Sequence, residues 1–188
     1  MFRDQAVAGT ACRKTEPAGT EVKSMRLFVA VLVNEEIREA LAAVQDRLLR
    51  QGVKGTFTRE ENFHLTLAFI GEYPDPAAVE EILDSIPMEP FPMRLKGFGM
   101  FGDVWWIGIE DCPELETYVR RLRHLLADAG IPFDRKGFMP HLTLVRDAQP
   151  GPCGLPAVRV PEAEMTVEHI SLMRSDRGKQ GMIYTELY

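Results

Sequence analysis

Two tetrapeptides decide how this chain is read: His64-Leu65-Thr66-Leu67, within ENFHLTLAFIGE at 61–72, and His141-Leu142-Thr143-Leu144, within FMPHLTLVR at 138–146. They are identical, and each lies in a short apolar run of the kind that forms a buried strand. Side chains alternate across a strand, so residues i and i+2 share a face. His64 and Thr66 therefore point one way, and Leu65 and Leu67 the other. The same holds for His141 and Thr143 against Leu142 and Leu144. Each strand buries leucines behind it and presents an imidazole and a hydroxyl in front. The imidazole holds or accepts a proton near neutral pH, and the hydroxyl donates to an anionic oxygen. Two such pairs facing one cleft supply two proton-transfer groups and two donors around one small anion.

Chance does not produce this repetition at a useful rate. With about one residue in twenty a threonine, Thr falls two after at least two of four histidines roughly 2% of the time, and an identical HLTL at both sites well under about 0.1%. A single HxT reads as a core histidine beside a strand former; the matched pair does not. The pair suits phosphoryl transfer without a metal. In-line displacement at phosphorus needs a base on the attacking side and an acid on the leaving side, and two histidines on opposite walls can fill those roles.

The flanks repeat as well. Residues 25–72 run strand, helix, strand, and so do residues 104–146. The first strand, 25–33 (MRLFVAVLV), is continuously apolar. Asn34 caps a helix whose Ile37, Leu41, Val44 and Leu48 recur at helical spacing up to Gly52. Asp75-Pro76 opens a second helix to about residue 86. Residues 91–102 and 104–110 read as strands joined at Gly102-Asp103. Pro113 opens a third helix with Leu115, Val119, Leu122 and Leu126 on one face, ended by Gly130. Residues 165–173 and 182–187 read as the last two strands. Strands in direct succession argue for an α+β fold with largely antiparallel pairing, built as two lobes about an approximate two-fold with a cleft between them.

Composition narrows the class. Of 188 residues, 45% are hydrophobic and 27% charged, which excludes wholesale disorder. No run of 18 apolar residues exists to span a membrane. Cys12, Cys112 and Cys153 form no CxxC pair, so a disulfide scaffold and a zinc finger have no support, and a reducing, cytoplasmic setting fits. A formal charge of −6 argues against a broad basic face for nucleic acid but leaves room for a small basic pocket. Residues 1–24 are small and polar and read as a flexible N-terminal extension, with 25–188 as one folded bilobal domain.

Other side chains take plainer readings. His124 with Arg120, Arg121 and Arg123 reads as a solvated basic face, and His169 as structural within a strand. Arg135-Lys136 and the set Arg174, Arg177 and Lys179 are candidate phosphate contacts. Trp105 and Trp106 point to opposite faces, so at most one lines the cleft. Phe98, Phe101 and Phe138 read as core before base-stacking groups. No GxSxG, Walker or dinucleotide pattern is present.

At the paired HLTL segments the sequence resembles the 2H phosphoesterases, whose signature is two HxTx motifs. MRLFVAV, ENFHLTLAFIGE, FMPHLTLVR and the late ISLMRS are similar to the branch of RNA 2′,3′-cyclic phosphodiesterases long called 2′-5′ RNA ligases, or LigT-like. The resemblance runs from Met25 to Tyr188. It implies a bilobal α+β fold and hydrolysis of a terminal 2′,3′-cyclic phosphate on RNA, or on nucleotides bearing that group, to a 2′-phosphate. It implies that His64 is the proton donor, that His141 is the acceptor activating water, that Thr66 and Thr143 hold phosphate oxygens, and that Arg146 binds phosphate. It implies no metal or organic cofactor, a weak reverse 2′-5′ ligation, no membrane, no obligate protein partner and a monomer. Alternatives are a phosphodiesterase on 2′-5′ oligonucleotides or small cyclic nucleotides, and a nucleotide- or RNA-binding module without turnover.

Overall fold

The computed structural model describes residues 24–179 and 181–188. The extension read over residues 1–24 falls outside them except for Ser24, and Cys12 falls outside with it. Strand β1 (Met25–Leu32) leads into helix α1 (Glu35–Arg50), and the Asn34 side-chain oxygen accepts from the Ile37 N–H at 2.9 Å. A short strand, β2 (Lys54–Phe57), and one 3₁₀ turn (Glu60–Asn62) precede β3 (His64–Tyr73). Helix α2 (Pro76–Asp84), capped by Asp75, leads to the hairpin of β4 (Phe91–Phe101) and β5 (Val104–Ile109). Then follow α3 (Pro113–Asp128), β6 (His141–Gln149), β7 (Glu164–Val167), β8 (Ser171–Gly178) and β9 (Gly181–Glu186).

The strands order β7-β4-β5-β6-β3-β1-β8-β9, with β2 on β6, and every pairing among the described residues is antiparallel. The fold is thus α+β, as the strand succession requires. The two motif strands meet at the centre, where Leu65 pairs with Leu142. Outward from that pair the halves mirror each other. On one side β1 and then β8 follow β3; on the other β5 and then β4 follow β6. The outer strands are exchanged, since β4 belongs by sequence to the first half and β8 to the second.

Helices α1 and α3 pack on the leucine face. Ile37, Leu41, Val44 and Leu48 of α1 and Leu115, Val119, Leu122 and Leu126 of α3 join Leu65, Leu67, Leu142 and Leu144 in one buried cluster. Each of these side chains contributes about 1.5–3 kcal/mol by leaving water. The opposite face carries a small apolar group, Phe28, Ala30 and Met173, and is otherwise open. The histidines lie on that face.

Residues 165–173 are not one strand. β7 pairs with β4, β8 pairs with β1, and the chain breaks pairing between them, leaving His169 exposed in the link rather than in a strand. Three residues span at most about 14 Å from Val167 to Ser171, whereas a flat sheet would put these strands roughly 29 Å apart at about 4.8 Å each. The β4–β7 end therefore curls back toward β1. β2 escapes the sequence reading because Lys54-Gly55-Thr56 is exposed and carries no apolar alternation.

Candidate active site

The central register fixes the motif geometry. With Leu65 opposite Leu142 in an antiparallel pair, His64 stands opposite Thr143 and Thr66 opposite His141. Each imidazole thus neighbours the hydroxyl of the other motif, and the histidines occupy one diagonal of the square. All four side chains are half-buried on the open face.

Both rings are pinned in the same way. His64 Nδ1 donates to the Asn62 carbonyl at 2.7 Å, and His141 Nδ1 donates to the Met139 carbonyl at 2.7 Å. A carbonyl only accepts, so Nδ1 carries the proton in both rings and Nε2 is the atom left to work in the cleft. Asn62 is itself buried, and its side-chain amide donates to the Met182 carbonyl at 2.9 Å. Aromatic rings flank each imidazole. His64 lies 4.8 Å from Phe28 and meets Tyr184 edge-on at 5.2 Å. His141 meets Phe101 edge-on at 5.1 Å and lies 5.9 Å from Trp106. The Trp106 ring lies flat over Gly99, where a Cβ would come within 2.2 Å of it. Trp105 is core, so one tryptophan of the two lines the cleft, as alternation allows.

This packing sets the proton affinities. Burial pushes His64 from its ordinary value of 6.5 down to about 4, partly countered by the Asn62 carbonyl and reinforced by the charges of Arg146 and His141. His141 is lowered for the same leading reason, burial, with the Met139 carbonyl opposing and Arg146 assisting. Both shifts favour the neutral form of the ring at pH 7.

Arg146 acts on both histidines, yet plain alternation puts it on the leucine face, five residues after His141. A β-bulge resolves this. The register steps from Trp106↔Thr143 to Trp105↔Val145, so Leu144 is the extra residue. Leu144 and Val145 are both buried, and Arg146 emerges on the histidine face. The first motif carries the same bulge. Ala30↔Thr66 is followed by Val29↔Ala68, with Leu67 extra, and the residue turned onto the histidine face is Phe69.

Two helix side chains hold the bulges. Gln45 on α1 donates to the Leu144 carbonyl at 2.7 Å and to the Thr58 carbonyl at 2.8 Å. Arg123 on α3 donates to the Leu67 carbonyl at 3.3 and 3.4 Å and to the Lys136 carbonyl at 2.8 Å. Each helix fastens the loop entering its own motif and the bulge of the other. Arg123 is therefore not part of a solvated basic face, unlike exposed Arg120 and Arg121. Exposed His124 faces Asp128 at 3.3 Å. Of the basic candidates, Lys136 lines a cavity beside His141, Arg135 lies on the Phe133 ring, and Arg174 pairs with Asp176 at 2.7 Å. Phe98 packs edge-on against core Trp105. The sequence pattern does not mark Gln45, Phe28 or Tyr184 as site residues. Superposing the two repeats would have found Gln45, because it and Arg123 are each the eleventh residue of a 16-residue helix.

The site gathers two imidazoles, two hydroxyls and one guanidinium about a pseudo-two-fold, the equipment of acid–base chemistry on an anion. Comparison with known proteins agrees with that class. The model of the family described as LigT like Phosphoesterase matches the chain twice, over residues 31–106 and 107–184, one HLTL in each. The chain belongs to this family. A protein of Thermotoga maritima named RNA 2′,3′-cyclic phosphodiesterase is 32% identical over 87% of this chain and 94% of its own length. One of that name from Archaeoglobus fulgidus is 34% identical over 87% and 98%. Among solved structures, E. coli LigT complexed with 3′-AMP superposes with a TM-score of 0.73 at 27% identity, covering 88% of this chain and 96% of that one.

Proposed function

We propose that this chain hydrolyses the 2′,3′-cyclic phosphate at an RNA end to a 2′-phosphate by two-histidine acid–base catalysis. The single observation that carries the reading is the pair of Nε2 atoms on one open face, each ring pinned through Nδ1 to a backbone carbonyl two residues upstream. A bound phosphate anion offsets the burial that strips the rings of their protons, so one ring takes up a proton as substrate enters. His64 Nε2–H then donates to the leaving 3′-oxygen, while neutral His141 Nε2 accepts a proton from the attacking water on the opposite side. Thr66 and Thr143 donate to the non-bridging oxygens, and Arg146 balances their charge. After turnover the proton positions are exchanged, and bulk water restores them. The same groups act in the same direction when a 5′-hydroxyl replaces water as the nucleophile, which gives weak 2′-5′ joining.

One chain supplies every group, so we read the working unit as a monomer. Free thiols at buried Cys112 and exposed Cys153 accord with a cytoplasmic setting. Among the described residues no three His, Cys, Asp or Glu side chains gather as a metal set, and no helix is long and apolar enough to cross a membrane. The test is a short RNA ending in a 2′,3′-cyclic phosphate, incubated with excess EDTA. Conversion to the 2′-phosphate is expected. A 3′-phosphate product, or complete dependence on an added metal, overturns the reading.

A further inference from the structure

The approximate two-fold is broken at the residue that pins each histidine. Two residues before His141 stands Met139, apolar and 54% exposed. Two residues before His64 stands Asn62, 8% exposed and bonded at both ends. Its carbonyl accepts from His64 Nδ1, and its side-chain amide donates to the Met182 carbonyl on β9. Arg59 donates to that same carbonyl at 2.6 Å, so both lone pairs of the oxygen are used. A flat sheet would keep Met182 and Asn62 far apart. Among the described residues β8 pairs with β1 over Ser171–Arg174 alone, opposite Leu27–Ala30. Met182 pairs with Arg177, three residues beyond Arg174, while His64 pairs with Leu32, five residues beyond Leu27 in the other direction. Those eight residues of strand span about 26 Å. The 2.9 Å bond from Asn62 to Met182 therefore requires the β8–β9 hairpin to leave the sheet and coil over the histidine face. On its way Tyr184 comes edge-on against Phe28 at 5.0 Å and against His64 at 5.2 Å. The hairpin is an arm across the first half of the cleft, and Asn62 and Arg59 fasten its end.

We propose that Asn62 is a positioning residue that couples this arm to the His64 ring: while its amide holds Met182, its carbonyl aims His64 Nε2 into the cleft and Tyr184 is kept against the imidazole. This rests on the function proposed above, in which His64 donates the proton. The coupling has a physical cause at each end. A buried side-chain amide that loses its acceptor pays the full cost of desolvation, so the turn carrying Asn62 is set by the arm it holds. The arm in turn is tied to the sheet by the short β1 pairing at its root and by this latch near its tip. Released, it uncovers one edge of the ring to water and frees the turn whose carbonyl fixes the ring's direction. At the matching place in the second half, the side chain of Met139 can accept no such bond, so the two histidines are held with unequal firmness.

The experiment is titration of both rings by NMR in the substrate-free protein, in wild type, Asn62→Ala and Arg59→Gln. Burial is the leading cause of the low His64 value of about 4. The charged and titratable groups around that ring, Arg146 and His141 on β6 and Tyr184 on β9, are untouched in both variants. The His64 midpoint is expected to rise from about 4 toward 6.5 in Asn62→Ala and by less in Arg59→Gln, with the His141 midpoint unmoved. In steady-state kinetics on a 2′,3′-cyclic phosphate, Asn62→Ala should lower kcat about 10- to 100-fold at little-changed KM, because the phosphate contacts remain. An unmoved His64 midpoint in Asn62→Ala, or an equal rise at both histidines, overturns the coupling. If Asn62→Ala does not fold, Arg59→Gln decides by the same two outcomes. A wild type that turns over no cyclic phosphate overturns the proposed function, and the ring titration still decides the coupling.

Discussion

At the scale of residues, the site is governed by what each imidazole touches. The Asn62 and Met139 carbonyls hold the tautomer, and the aromatic rings beside each imidazole remove water from it. The cost of charging His64 has a stability consequence with a definite sign. Its folded value near 4 lies below the unfolded value of about 6.5. The unfolded chain therefore takes up a proton that the folded chain refuses, and stability is full above about pH 6.5 and lost as pH falls toward 4. In His64→Gln the melting temperature should drop less between pH 7 and 4.5 than in wild type; an equal drop contradicts the assignment. Arg146 lowers both histidines. Arg146→Gln should therefore move the pH profile of kcat/KM upward while reducing its height by about 10- to 100-fold, the worth of one charge-assisted contact. A lower height with an unmoved profile would place the guanidinium away from the rings.

At the scale of elements, the paired bulges do what strict alternation cannot. A reader of the sequence finds the faces of His64, Thr66, His141 and Thr143 from period two alone, because no irregularity precedes them. Arg146 lies beyond Leu144, where the register slips by one, so alternation aims it into the core, and only the resemblance suggested its role. The Gln45 and Arg123 stitches are equally silent in the sequence, since each joins residues far apart in the chain. Gln45→Leu removes the amide that donates to the Thr58 carbonyl and leaves the buried Leu144 carbonyl with the Thr58 N–H at 2.8 Å, and should cost about 1–3 kcal/mol in denaturant unfolding. Because that bulge aims Arg146, the same variant should raise KM for substrate. Arg123→Leu should loosen Phe69 instead. If Gln45→Leu unfolds at wild-type denaturant concentration, the stitch carries no energy.

At the scale of the whole molecule, the candidate active site lies at the seam between two repeats. Leu65 and Leu142 pair at its centre, both fully buried, so the leucines that join the halves stand directly behind the histidines. Leu65→Ala and Leu142→Ala should each cost about 2–5 kcal/mol, and the double variant should depart from their sum because the two share one site. Additive losses would mean that the halves are held mainly elsewhere. The repeat itself was readable, because strand, helix and motif recur in order and each helix is followed by a glycine at positive φ, Gly52 or Gly130. The exchange of β4 and β8 was not, because strand partners at the sheet's flanks are set by the curl of the whole sheet rather than by local pattern. The same curl broke the run at residues 165–173.

The proposed mechanism divides the labour between two histidines, and pH profiles of kcat/KM for wild type, His64→Ala and His141→Ala test that division most directly. Wild type should give a bell with both limbs at or below about pH 6.5, since both rings are lowered and one must be charged while the other is not. Each variant should lose a hundredfold or more in rate and one limb of the bell, a different limb in each. A variant that keeps near-normal activity, or that keeps both limbs, would contradict the central claim.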